Sequence, residues 1–335
     1  MNFETESTLD VAYVEEVVRR LTAARREVGK IVKGQEQVVE QLVLALIANG
    51  HALIEGAPGL GKTLLARTMG NVFGLITKRI QFTPDLMPAD ITGTNVLVHD
   101  EAAGMHTRFE QGPVFTQLLL ADEINRATPK TQSALLEAMQ ERTVTVAGIE
   151  RELPRPFMVM ATQNPIEMEG TYVLPEAQID RFFLKIVVEF PTEAVLDEVL
   201  RSTTGPETGQ LERQFEAADV PALTQLVRAM PVAQDLRLRV ARFTAATHPD
   251  RSRYEEVKRH VRFGISPRGA QSWLLAAKAH ALLQGRFATD VKDLDAMLLP
   301  ALRHRVQLSF ASENEGITVS DVLRTVFKGE VARAR

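Results

Sequence analysis

Residues His51–Met69 read HALIEGAPGLGKTLLARTM: an apolar run, three glycines within six residues, a Lys-Thr pair and an amphipathic continuation. Gly56, Gly61, Lys62 and Thr63 satisfy the spacing G-x-x-x-x-G-K-[ST], with Ala57, Pro58, Gly59 and Leu60 filling the loop and Leu64 following it. Glycines let consecutive backbone N–H groups turn inward toward phosphate oxygens, and the helix that follows adds its positive N-terminal end. Lys62 is then placed to reach the β- and γ-phosphates and Thr63 to ligate Mg²⁺. A glycine-rich turn that binds nothing is the plain alternative. A strand-like run before it and a helix-like run after it favour a nucleoside triphosphate as the ligand.

Around this loop the chain repeats one rhythm. The apolar segments HALIE, KRIQF, QLLLADE and FMVMATQN each end in small or polar residues and are separated by helical or turn-rich sequence. Near-continuous apolar strands alternating with helices predict a parallel sheet covered on both faces. FFLKIVVEF (Phe182–Phe190) is a candidate fifth strand. Residues 10–48 show helix periodicity broken at Gly34. Two segments interrupt the rhythm. DITGTNVLVHDEAAGMHTRFEQGPVF holds two strand-like stretches around HDEAAG, and RTVTVAGIEREL reads as a hairpin turning at Ala147-Gly148. Ser202–Gln210 is rich in Ser, Thr, Gly and Pro and marks the expected linker, after which the patterns are helical. The expectation is an α/β domain over 1–205 followed by a helical domain over 206–335.

A phosphate-binding loop needs a carboxylate on the metal side, and QLLLADEIN supplies Asp122, with Glu123 beside it to orient and polarise a water. Such a pair can also begin a helix. Asn164 ends the next apolar strand, where an amide can contact the γ-phosphate and the same water, because α/β sheets gather ligands at this edge. In LPEAQIDRFF, Arg181 follows an acidic residue and could simply pair with Asp180. In GISPRGAQSW, Ser266 fits an N-cap and Pro267 the first helical position, so Arg268 falls in the first turn. A cation there opposes the helix dipole, a conflict that an anionic ligand would resolve.

The bulk properties set limits. The chain has 335 residues, 45% hydrophobic and 24% charged, with a formal net charge of −4. This suits a soluble globular protein and gives no global attraction to nucleic acid. With no cysteine, thiolate metal sites and cysteine nucleophiles are excluded. No apolar run approaches the length of a membrane span, and MNFETESTLD lacks secretory character. The reading is cytoplasmic, with no membrane insertion.

Taken together, the loop, the ADE strand end, Asn164, SPRGA and IVKGQEQVVEQLVLAL resemble the AAA+ ATPases. DEINRATPKTQSALLEAMQERTVTV and ATQNPIEMEGTYVLPEAQIDRF are similar to the MoxR group within them. Thr128, Met168 and Val173 depart from residues frequent in that group, outside the nucleotide chemistry. The resemblance implies a P-loop domain with a helix-2 insert, a hairpin before sensor 1 and an all-α lid. It makes Gly56–Thr63 Walker A, Asp122–Glu123 Walker B and Asn164 sensor 1. Arg268 becomes sensor 2, and Arg181 the arginine finger that reaches a neighbouring subunit's nucleotide. Gly34 and Gln35 would lie near adenine. It further implies ATP and Mg²⁺ as cofactors, a homo-oligomeric ring, expected as a hexamer, and chaperone-like action on a protein client with a partner carrying a von Willebrand factor type A domain.

The rival from another class is a nucleic-acid-dependent motor of the same architecture. Motors need cationic or aromatic tips. Here the insert offers Asp90, Asp100, Glu101 and Glu110 against Arg108, and the hairpin tip AGIE has no lysine, so nucleic acid is not expected as a partner. No N-K-x-D guanine motif is present, and Glu123 speaks against a kinase, which must exclude water.

Overall fold

The computed structural model describes residues 11–100, 104–164, 171–205 and 210–331. Helices α1 (Val11–Ile31) and α2 (Glu36–Ile47) lead into strand β1 (Ala52–Glu55), the glycine loop and α3 (Lys62–Val72). Strand β2 (Thr77–Gln81) is followed by α4 (Pro88–Thr92) and the long antiparallel pair β3 (Gly93–Asp100) and β4 (Gly104–Gln111). Next come β5 (Leu118–Asp122), α5 (Pro129–Glu141), the hairpin β6 (Thr143–Val146) and β7 (Ile149–Glu152), and β8 (Met158–Gln163). A single turn, α6 (Glu176–Ile179), precedes β9 (Leu184–Val187) and α7 (Glu193–Thr204).

The central sheet has the order β2-β5-β8-β1-β9, all pairings parallel. Alternation along each strand assigns side chains to two faces. Ala52, Ile54, Leu118, Leu120, Met158, Met160, Leu184 and Ile186 join the core that α1, α2 and α3 cover. Leu53, Leu119, Ala121, Val159 and Ala161 join the opposite core with Leu135, Leu136 and Met139 of α5. Burying each of the Val, Leu, Ile and Met side chains among these stabilises by about 1.5–3 kcal/mol. Helix α1 earns its place by spacing: Val14, Val17, Leu21, Ala24 and Val28 recur at three and four residues and are all buried. The β6–β7 turn places Ala147 at φ 51° and Gly148 at φ 77°, the doubly left-handed geometry that matches strand twist in two-residue hairpins.

After α7, Ser202–Thr204 of the expected linker continue that helix, while 206–209 lie outside the described residues. The remaining helices are α8 (Val220–Ala229), α9 (Gln234–Ala246), α10 (Glu255–His260), α11 (Pro267–Leu283), α12 (Val291–Leu302), α13 (Phe310–Asn314) and α14 (Val319–Glu330). The helical lid also carries a small antiparallel ladder, β10 (Val261–Phe263) with β11 (Gln307–Leu308), too short for periodicity to reveal. Trp273 is fully buried in the lid core, its ring tilted at 47° against Phe243, with its indole N–H donating to Leu294 O at 2.8 Å. No helix among the described residues is long and apolar enough to cross a membrane.

His51, just before β1, is buried among polar backbone groups. Its Nδ1 accepts from Val159 N–H at 3.0 Å and its Nε2 donates to Met139 O at 3.0 Å, which fixes the neutral tautomer. Burial, and then the nearby Arg142, push its pKa down to about 4 from 6.5. The unfolded chain therefore binds this proton first, so the stabilisation is complete above pH 6.5 and is lost as pH falls toward 4. Between pH 7 and pH 5, wild type should lose about 2 kcal/mol more stability than His51→Gln, measured by denaturant unfolding at both pH values. Equal losses in the two proteins would remove His51 from the acid response.

Candidate functional site

The carboxyl ends of β1, β5 and β8 lie at one edge of the sheet and build a cavity of about 450 Å³. Its floor is the glycine loop. Gly59 (φ 82°) and Gly61 (φ 76°) occupy the left-handed region, and a Cβ on either would point into open space. Gly56 is needed for a different reason: a Cβ there would sit 2.9 Å from Val188 O, where the loop crosses the end of β9. Helix α3 begins at the end of this loop with no side-chain cap and no acidic residue in its first turn, so its N–H groups stay available to an anion.

Lys62 Nζ donates to Gly56 O at 2.7 Å, folding the side chain along the loop. Burial pushes its pKa down, and the Asp122 and Glu123 carboxylates push it back up. Thr63 and Leu64 line the cavity above it. Asp122 and Glu123 approach from the end of β5. Thr162, buried in β8, joins them: its hydroxyl donates to Asp122 Oδ1 at 2.6 Å and accepts the Glu123 N–H at 2.8 Å. Arg79 forks onto Asp122 Oδ2 at 2.8 and 3.1 Å. Gln81 Nε2 and Arg126 Nη1 both donate to Glu123 Oε2, at 2.8 and 3.0 Å. Glu123 itself has φ 57°, a conformation uncommon for a residue with a Cβ and one that aims it out of the strand.

Asn164 follows β8, is 7% exposed and lines the same cavity. It stands beside the start of the loop, since Gly56 N–H points at Gln163 O at 3.4 Å. Beneath the loop, Gly34 adopts φ 66° against Val195 of α7. The Gln35 side chain donates from Nε2 to Leu60 O at 2.9 Å, while its amide oxygen, Oε1, is buried without a partner. That orphaned acceptor next to the loop fits the amino group of a nucleobase. Ala57 packs against the core behind the loop, and Pro58 faces the cavity.

The two arginines stand elsewhere. Arg181 donates to Leu136 O at 2.8 Å and lines a separate cleft of about 480 Å³ along α5, with Ser133, Glu137 and Gln178. It does not pair with Asp180. Arg268 is exposed in the first turn of α11, behind an N-cap in which Ser266 Oγ accepts from Gly269 N–H at 3.1 Å. Within one chain, neither lines the loop cavity.

Among the described residues no group of three or more His, Cys, Asp or Glu could hold a metal. Thr63 and Asp122, lining one cavity, suit Mg²⁺ in the way that ion is usually held, by one carboxylate with the substrate's phosphates. Sequence reasoning missed Arg79, Gln81 and Thr162. Arg79 and Gln81 are two apart and share a strand face, yet their relevance depends on β2 lying next to β5 with Gln81 opposite Asp122. A threonine inside the apolar FMVMATQN was the one visible signal for Thr162.

Residues 51–184 match the family model described as ATPase family associated with various cellular activities, and residues 253–326 match that of the AAA lid domain. Chaperone MoxR1 of Mycobacterium tuberculosis is 42% identical over 316 residues, covering 92% of this chain and 82% of the relative. The uncharacterized protein YeaC of Bacillus subtilis is 37% identical, covering 94% and 96%. The crystal structure of a putative ATPase from Cytophaga hutchinsonii aligns with a TM-score of 0.88 at 34% identity, over 97% of this chain and 98% of that one.

The Thr162 bridge can be tested alone. Thr162→Val keeps the shape but leaves the Glu123 N–H without its acceptor, which should cost about 1–3 kcal/mol in denaturant unfolding. Thr162→Ser should retain most of the stability. Equal stability of all three proteins would show that the hydroxyl bridges nothing of consequence.

Proposed function

We propose that this chain, which belongs to the MoxR group of AAA+ ATPases, hydrolyses ATP with Mg²⁺ to drive chaperone-like remodelling of a protein complex. The observation that carries this is the convergence of the glycine loop, Lys62, Asp122, Glu123 and Asn164 on one cavity at the carboxyl edge of the parallel sheet. Backbone N–H groups of Gly59 to Thr63 hold the β- and γ-phosphates, and Lys62 leaves Gly56 O to meet them. Gly34 and Gln35 border the base. Thr63 and Asp122 would hold Mg²⁺, which neutralises phosphate charge when bound.

Glu123 orients the attacking water and takes its proton. With Oε2 engaged by Gln81 and Arg126, Oε1 is the oxygen turned to that task. As the water oxygen bonds to the γ-phosphorus, the bond to the β–γ bridging oxygen breaks and ADP leaves. Asn164 holds the water and the γ-phosphate from the β8 side.

Because Arg181 projects along α5 away from its own cavity, it acts on the nucleotide of an adjacent subunit, and the working form is a ring, a hexamer by family resemblance. Arg268 supplies the lid's cation. A protein client is supported by the two insertions, which expose Leu97 (66%), Met105 (64%) and Ile149 (53%). Arg151 spends its charge over the Phe109 ring at 4.0 Å rather than at a tip. Glu101 and the Asp100 side chain, counted earlier in the acidic tip, lie outside the described residues. The von Willebrand factor type A partner and the cytoplasmic setting rest on sequence and resemblance.

Lys62→Ala should weaken ATP binding. Glu123→Gln should bind ATP while turning over ~10²-fold or more slowly, the usual loss of a general base. Single-stranded DNA should leave the rate unchanged, and a salt-sensitive, severalfold stimulation would replace the chaperone reading with the motor. A separate test addresses the ring. Mixing Arg181→Ala with Glu123→Gln subunits should restore hydrolysis at interfaces that pair an intact Glu123 with an intact Arg181. A dilute monomer hydrolysing at the full specific rate would refute the action in trans.

A further inference from the structure

Arg181 sits between two residues that the lid holds. Arg305, in the turn after α12, has a side chain only 1% exposed. Its Nε donates to Asp180 Oδ1 at 2.7 Å, and its Nη2 to the backbone carbonyls of Asp180 at 3.1 Å and Phe182 at 2.7 Å. Its Nη1 reaches Phe183 O at 3.2 Å. His304 adds a bond from Nε2 to Phe182 O at 3.1 Å; burial and the adjacent Arg305 hold its pKa well below the usual histidine range, so the ring is a neutral donor. Ser266 Oγ donates to the other oxygen, Asp180 Oδ2, at 3.0 Å. One carboxylate and three carbonyls bracketing Arg181 are thus gripped from the lid, 86 or more residues further along the chain.

General domain adhesion does not account for this arrangement. Burying a guanidinium and a carboxylate carries a desolvation cost that well-packed apolar residues would avoid. The charge-assisted bonds here do something that apolar contact cannot: they fix the direction of one short segment. Both side-chain bonds of Asp180 come from the lid. One comes from Ser266, which is also the N-cap of α11 and lies two residues before Arg268.

We propose that Asp180, clamped by Ser266 and Arg305, is the positioning residue through which the lid of each subunit sets the reach of Arg181 toward its neighbour. The proposal rests on the reading of Arg181 as a residue acting in trans. The N-terminal turn of α11 carries Arg268 at one position and the Asp180 bond at another, so a shift of that turn pulls on the carboxylate. The segment Asp180–Phe183 moves with it because Arg305 holds its carbonyls. The position of the lid in one subunit is thereby written into the cation it offers to the next, through the two side-chain bonds to Asp180.

Asp180→Asn and Ser266→Gly test the clamp in the full-length protein. Glycine is nearly as good an N-cap as serine, so the second variant removes the Asp180 bond with little change at the helix start. It also carries the test should Asp180→Asn fail to fold. In each homogeneous protein, kcat for ATP should fall roughly tenfold or more through misplacement of Arg181, with KM within about twofold of wild type. Mixing either variant with Glu123→Gln subunits, which are inactive but carry an intact clamp and Arg181, should raise ATPase severalfold above the summed rates of the separate proteins. A merely structural defect would stay with its own subunit and would not be rescued. If Arg181→Ala is rescued by Glu123→Gln and neither clamp variant is, the clamp acts within its own subunit and the proposal is wrong. If Arg181→Ala itself is not rescued, the trans reading fails first, and the clamp proposal with it. A wild-type kcat for Ser266→Gly would also overturn it.

Discussion

Parallel pairing of β1, β5 and β8 fixes where the glycine loop, the Asp122–Glu123 pair and Asn164 stand. Strands that run the same way end at the same edge, and their registers, Glu55 with Gln163 and Ala121 with Ala161, bring the glycine loop, the Asp122–Glu123 pair and Asn164 to one level. Thr162 then ties β8 to β5 with a single buried hydroxyl that serves as both donor and acceptor. Shifting β8 by one residue would send its apolar side chains to the opposite face and carry Asn164 away from the loop.

The charged groups of the cavity are partnered within the chain. Asp122 faces Arg79, Glu123 faces Gln81 and Arg126, and Lys62 faces a loop carbonyl. Leaving such groups unpaired in a partly buried site is costly, so these contacts hold the side chains near one geometry. On the reading proposed here, a polyphosphate entering the cavity would exchange partners rather than fill a vacuum, and Lys62 would trade a neutral carbonyl for an anion, a stronger bond.

The two ends of the chain are joined by a common core. Apolar residues of α1 and α2 are contiguous with Trp273, Phe243 and Leu294 of the lid, so α2 presents one side to the sheet and another to α11. The lid meets the sheet domain again at Asp180–Phe183. Between these contacts lies the region bordered by Gly34, Gln35 and Val195 of α7. The lid is therefore attached both behind the glycine loop and at the segment carrying Arg181.

Local patterns in the sequence determined the glycine loop, the five sheet strands, the β6–β7 hairpin with its turn at Ala147-Gly148, and the N-cap at Ser266. Each is set by residues within a few positions of one another, through periodicity, left-handed backbone requirements or capping. Only the tertiary structure decided the order β2-β5-β8-β1-β9, and with it the pairing of Arg79 with Asp122 and Gln81 with Glu123. It also decided that Asp180 pairs with Arg305 and Ser266 and not with Arg181, the adjacent cation. Parallel strands are joined by long crossovers and share no turn to fix their order. Ion-pair choice, likewise, follows distances created by packing between segments more than a hundred residues apart (305 − 180 = 125).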